Sequence, residues 1–243
     1  MGDQTRIVAL LLAAVVVAIG VAVGGKFVGD GFRDGRAADR FVTVKGVAER
    51  EVVADLAVWP VRITETGDDL GATQSRLEQD VDSLVVFLVG EGIAQESIQR
   101  GRVEVQDLLA QAYRPDGIEK GRYILAQTVT VRTGDVALVD ASASRIGELV
   151  KMGVVFAETG GPSYVFTGLN EIKPDMIAEA TRAAREGAQR FAEDSGSTVG
   201  AIRRANQGVF TIGPLVGWNH GNPAGAIEKR VRVVSTIDFF LRD

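Results

Sequence analysis

The 243-residue chain contains no cysteine. Disulfides, thiolate nucleophiles and cysteine-held metals are excluded together, and so is the lipidated cysteine of a bacterial lipoprotein. Histidine is nearly missing too: His220 is the only one, and a single imidazole cannot build a multi-histidine metal site. Aromatic residues make up 6% of the chain, no basic run is interleaved with them, and the 27 Lys and Arg face 32 Asp and Glu for a net charge of -5. No nucleic-acid partner is expected, because phosphate neutralisation needs clustered positive charge. The standard catalytic signatures are also lacking: there is no G-x-S-x-G, no G-x-x-x-x-G-K-[ST], no H-E-x-x-H and no strand-to-helix G-x-G-x-x-G. The reading is of a protein that is not an enzyme and carries no cofactor or metal.

What the chain does have, near its start, is a long apolar run. Residues 7–25, IVALLLAAVVVAIGVAVGG, hold no charge and are closed off by Arg6 and Lys26. Nineteen helical residues span roughly 28 Å at ~1.5 Å rise each, close to the ~30 Å hydrocarbon core of a bilayer. A signal peptide has a shorter core of about 7–15 residues and a small-residue cleavage site. Ala22, Gly24 and Gly25 offer small residues without a clean A-x-A, so 1–26 reads as a transmembrane anchor or an uncleaved signal. A very short tail before such a span behaves as a signal anchor, which predicts a single-pass inner-membrane protein with its C-terminal bulk in the periplasm. The lipid bilayer is then a partner through residues 7–25. Residues 27–40, rich in Gly and alternating charge, read as a flexible tether.

From residue 41 the patterning is that of an α+β domain running to 241. FVTVKG and EVVADLAVWPVRI are β-branched strands around a turn at 46–50. Pro60 cannot donate to a ladder, so its strand is an edge or bulges there. After Asp68 the period changes: Leu70, Leu77, Val81, Leu84 and Leu88 fall on one helical stripe. Asp68 and Asp69 suit the helix start and Gly90 or Gly92 its stop. Strands over 98–113 and 121–133 follow, then a helix from Asp135 to Gly153. The last third reads as a strand at 163–170, an alanine-rich helix at 173–196 with Pro174 in its first turn, and strands at 197–212 and 228–243. The order β-α-β-β thus appears twice, over 52–132 and 163–241, which predicts a duplicated domain with antiparallel sheets; ordinary α+β alternation gives the same pattern.

Residues able to serve a site are few. Trp59 and Pro60 in the early strand, with Trp218 and His220 in the loop GPLVGWNHGNPAGA, are candidates for an interface between copies. His220 paired with a serine is a weaker, catalytic reading, since a Gly/Asn/Pro loop holds an imidazole poorly. Asp68–Asp69 and Glu49–Glu51 suit a cation, though helix capping and turn solvation explain them more simply. Arg203 and Arg204 suit an anion, though such neighbours in a strand ordinarily point to opposite faces.

VTVKGVAEREVVADLAVWPVRI, SLVVFLVGEGIAQESIQ, YILAQTVTVR and IAEATRAAREGAQRFAEDSGSTVGAIRRANQ together resemble the SIMPL-domain family of bacterial exported proteins. The resemblance is carried by a G-x-A at Gly46, Val47 and Ala48, an aromatic at Tyr123 opening a central strand, and alanines around Ala180, Ala183 and Ala188. It implies an α+β fold, an envelope location, self-association into large ring- or cage-like homo-oligomers, and for some members a link to oxidative-stress tolerance. It carries over no catalytic residue. The leading expectation is a membrane-anchored scaffold that forms a homo-oligomer; the alternative is a module binding a small molecule or envelope component.

Overall fold

The computed structural model describes residues 15, 17–29, 31, 40–110, 121–157, 160–216 and 223–242. Residues 17–29 are helical and exposed. Among the described residues no helix is long and apolar enough to cross a membrane. Residues 7–14 and 16 of the expected span lie outside them, and the helix continues to residue 29, over positions assigned above to the tether. From residue 40 the chain is α+β, and its contacts divide it into two compact units, one of residues 49–174 with 211–232, the other of 1–48, 175–210 and 233–243.

In the first unit, β2 (Leu56–Gly67), β3 (Ile98–Asp107), β4 (Tyr123–Thr133) and β5 (Ser163–Val165) form an antiparallel sheet in the order β3-β4-β2-β5. Alternation decides its faces. Ala57, Trp59, Val61 and Ile63 of β2, with Leu125, Val129 and Val131 of β4, are buried on one side. Helix α1 (Leu70–Gly90) covers that side with Leu77, Val81, Leu84, Val85 and Leu88. Leu70, read as part of the stripe, is exposed, and Thr73 one turn later is buried instead. The start of α1 is fixed by Asp69, whose carboxylate accepts from Ala72 N at 2.7 Å. Its end is fixed by Gly92, whose φ of +99° lets Ile93 N reach Leu88 O at 3.0 Å. The expected helix from Asp135 to Gly153 is present in two pieces, α2 (Val136–Arg145) and α3 (Gly147–Lys151), with Gly147, a poor helix former, at the break.

Pro60 has a physical role in this sheet. β2 is an inner strand, but β5 pairs only with Leu56, Ala57 and Val58, and the next contact on that side is the bridge of Ile63 to Phe156. On that side Arg62 O accepts from Ala157 N and Thr64 N donates to Val155 O. By the two-residue period Pro60 points the same way, into the uncovered stretch, where a missing N–H leaves no donor unpaired.

β1 (Phe41–Val53), β6 (Thr198–Gln207) and β8 (Glu228–Arg242) give the order β1-β8-β6, the second unit holding residues 41–48 of β1, all of β6 and residues 233–242 of β8. Strand β7 (Thr211–Pro214) pairs antiparallel with β8 at 229–232, within the first unit. Helix α4 (Leu169–Asp194) begins before Pro174, four residues earlier than expected, and turns a stripe of small side chains inward: Ala180 is buried, and Ala184 and Ala188 pack with Val44, Ile237 and Phe239. Small residues permit close approach, and Gly46 shows how close. A Cβ built there would lie 1.8 Å from Ala180 O and 2.6 Å from Ala184 N, so only glycine fits where β1 crosses α4.

The strand at 163–165 therefore does not open a second β-α-β-β over 163–241; it pairs with β2. The place of a first strand before α4, β6 and β8 is taken by β1.

Candidate functional site

The helix α4 occupies one face of the β1-β8-β6 sheet, and the opposite face carries the polar residues. In β1 the alternation puts Val42 and Val44 toward α4 and Phe41, Thr43, Lys45 and Val47 on the open side, all exposed. In β8 it puts Ile237 and Phe239 toward α4 and Thr236, Asp238 and Phe240 on the open side. Asp238 is only 5% exposed although no helix covers it. Its neighbours fold over it: Thr43 Oγ1 donates to Oδ1 at 2.8 Å, and Arg204 brings Nε and Nη2 to Oδ2, each at 3.1 Å. The hydroxyl of Thr43, then the Arg204 guanidinium, hold the Asp238 carboxyl below its ordinary range against the opposing effect of burial.

Both arginines of β6 reach this face. The register against β8 slips between Val199 and Ile202 and again between Ile202 and Arg204. The second slip makes Arg203 an extra residue, so instead of pointing away from Arg204 it lays its guanidinium 4.2 Å from the ring centre of Phe41 and 5.9 Å from that of Phe240. The expectation that the two arginines straddle the strand is thus corrected by a bulge. Around Asp238, a cavity of about 490 Å³ is lined by Thr43, Arg204, Asn206 and Thr236 among others. The set offers hydroxyl, amide and guanidinium groups to a ligand, with the Thr43 hydroxyl already donating to the Asp238 carboxylate.

Residues 42–232 match the family described as "SIMPL: Protein of unknown function (DUF541)". The chain belongs to the SIMPL family. Among curated proteins nothing matches it. Two solved structures, both from Listeria innocua, align over 76% of this chain and 90% of their own. One is an uncharacterized conserved protein, 11% identical with a TM-score of 0.22; the other is a hydrolase, 12% identical with a TM-score of 0.19.

Within this SIMPL domain the remaining expected positions fall out as follows. Trp59 is 3% exposed and belongs to the core cluster under α1 and α2, so it presents no surface to a second copy; its alternation with Ala57, Val61 and Ile63 was the signal. Beside it an apolar cavity of about 290 Å³ is lined by Val61, Ala143, Ile146 and Phe156. Pro60 is half-buried on the uncovered part of β2. Trp218 and His220 lie outside the described residues. The paired carboxylates have other duties. Asp68 accepts from Gly121 N at 2.7 Å and Arg122 N at 3.1 Å, Asp69 caps α1, and Glu49 and Glu51 pair with Arg230 and Arg232. Of the family's alanines, Ala180 and Ala188 are buried and Ala183 is half-buried, the inward stripe running through Ala184.

Proposed function

We propose that this SIMPL protein is a membrane-anchored, extracytoplasmic scaffold whose folded domain associates with further copies of itself and catalyses no reaction. One observation carries the reading. β6 ends the order β1-β8-β6, no further strand joins it among the described residues, and this edge with the residues just after it exposes Ile202 and Val209. Val209 is 83% exposed, which is poor placement for an apolar side chain that meets only water. Pairing by strand addition is disfavoured at β6 by its bulges and arginines, so copies would join by packing these side chains.

The uncharged residues 7–25 support an inner-membrane anchor with the domain in the periplasm. Anchors fix orientation and raise effective concentration, which favours even a modest contact. The common strand order, β2-β4-β3 around α1 and β1-β8-β6 around α4, supports a duplicated β-α-β-β plan. Ring- or cage-like closure and a part in oxidative-stress tolerance are what the family resemblance adds.

The test is mass in solution. Light scattering of the detergent-solubilised chain is expected to give a discrete assembly several times the 25.8 kDa of one chain, and Ile202→Asp with Val209→Asp is expected to disperse it. A monomer over a wide concentration range would end the proposal.

A further inference from the structure

The open face around Asp238 has a charge that its surroundings do not share. Around Asp238 it gathers Lys45, Arg203, Arg204 and Arg242, in a chain whose net charge is -5; Glu49 and Glu51, farther along β1, pair with Arg230 and Arg232. The helix on the other side of the sheet is acidic: within 175–194 it holds Asp175, Glu179, Glu186, Glu193 and Asp194 against Arg182, Arg185 and Arg190. Folding does not require this separation, since mixed signs on both faces serve solubility better.

Asp238 does not cancel the positive face; it organises it. Both its oxygens are taken, one by Thr43 and one by the Nε and Nη2 of Arg204. That fixes the guanidinium plane while leaving Nη1 without a partner among the described residues. The Arg204 side chain is nevertheless 80% exposed, so an oriented cation is presented to solvent. Lys45, two residues along β1 from Thr43 on the same face, is exposed and has no ion pair among the described residues. Beside Arg204 the cavity of about 490 Å³ adds the neutral donors Thr236 and Asn206, with the Asp238 carboxylate also in its lining. Its size lies in the range of small-ligand pockets, roughly 300–1,000 Å³; the guanidinium, amide and hydroxyl donors of its lining match a tetrahedral oxyanion, and Lys45 adds a positive charge on the same face of the sheet.

We propose that this face binds a small, soluble, phosphate-bearing anion, held by Arg204 and Lys45 with Thr236 and Asn206 completing its hydrogen bonds. The proposal is independent of self-association, since every residue it uses lies on the sheet of one chain.

The experiment is calorimetric titration of the full chain in neutral detergent with pyrophosphate at low salt. Saturable binding is expected that weakens as salt is added. Losing one charge-assisted hydrogen bond in Arg204→Gln is expected to weaken it about tenfold or more. Should Arg204→Gln fail to fold because Asp238 is left unpaired, Lys45→Gln carries the test: its melting temperature is expected to match wild type without ligand while its affinity drops severalfold. No saturable binding, or equal affinity in wild type and Lys45→Gln, overturns the proposal. So does stronger retention on phosphatidylglycerol than on phosphatidylcholine vesicles in the absence of pyrophosphate binding, which would assign the charge to a lipid surface.

Discussion

Gly46→Ala adds one methyl group, and its cost can be worked from the packing of β1 on α4. The new Cβ would sit 1.8 Å from Ala180 O and 2.6 Å from Ala184 N, whereas Cβ contacts under 3.0 Å are essentially never found. Both obstacles are backbone atoms inside a helix, so neither can swing aside as a side-chain tip would. Strand and helix must separate by more than an ångström, and the separation falls on fully buried Ala180, Ala184 and Ala188, which have no length with which to fill the gap. Overpacking typically costs about 1–3 kcal/mol, and a rigid clash on this scale belongs at the upper end. A loss of about 3 kcal/mol in a chain of this size lowers the melting temperature by roughly 6–12 °C. Urea denaturation followed by circular dichroism checks the figure, with a lower midpoint at unchanged slope. Gly187→Ala is the matched control, since a Cβ there meets nothing within 4 Å on the same helix; it is expected to stabilise by up to about 1 kcal/mol. Gly46→Ala unfolding within about 0.5 kcal/mol of wild type, the range of an ordinary surface change, would refute the close approach of β1 to α4.

Asp238 gives a pH signature. Its carboxyl is held below the ordinary value near 3.8 in the folded chain, so the stability it contributes is fully present above that value and is lost as pH falls through the lowered one. The difference in stability between wild type and Asp238→Asn is therefore expected to be constant near neutrality and to shrink in acid; a difference that does not change with pH would rule out the ion pair with Arg204. At the start of α1, Asp69→Ala removes the acceptor for Ala72 N and is expected to cost about 1 kcal/mol. Asp69→Asn, which keeps an oxygen there, is expected to restore most of it in the same denaturation assay.

Local signals in the sequence were read correctly where a local cause fixes the structure. The period that placed Leu77, Val81, Leu84 and Leu88 on one side of α1 is the period of the buried stripe, and Asp69, Asp135 and Gly92 do at the helix ends what their types allow. Pro60 suggested an edge strand or a bulge; β2 is instead an inner strand in unbroken register with β4, and Pro60 faces the stretch that β5 leaves uncovered. Trp59 was misplaced although its signal was there, because an aromatic beside a proline drew attention to an edge while strict alternation with Val61 and Ile63 put it in the core. The open face was illegible for a different reason. Thr43 and Asp238 are separated by 195 positions, and nothing in either segment specifies that β1 lies beside β8. Nor does regular alternation in IRRANQ allow Arg203 and Arg204 to share a side; that needs a register slip, which depends on the neighbouring strand. Helix-facing positions of this sheet obey the simple period because a packed face tolerates no exception. The exceptions accumulate on the side that packing leaves free. A bulge, a buried carboxylate with no covering helix and a surplus of positive charge occur together there, and such departures from local rules are where a binding role is most reasonably sought.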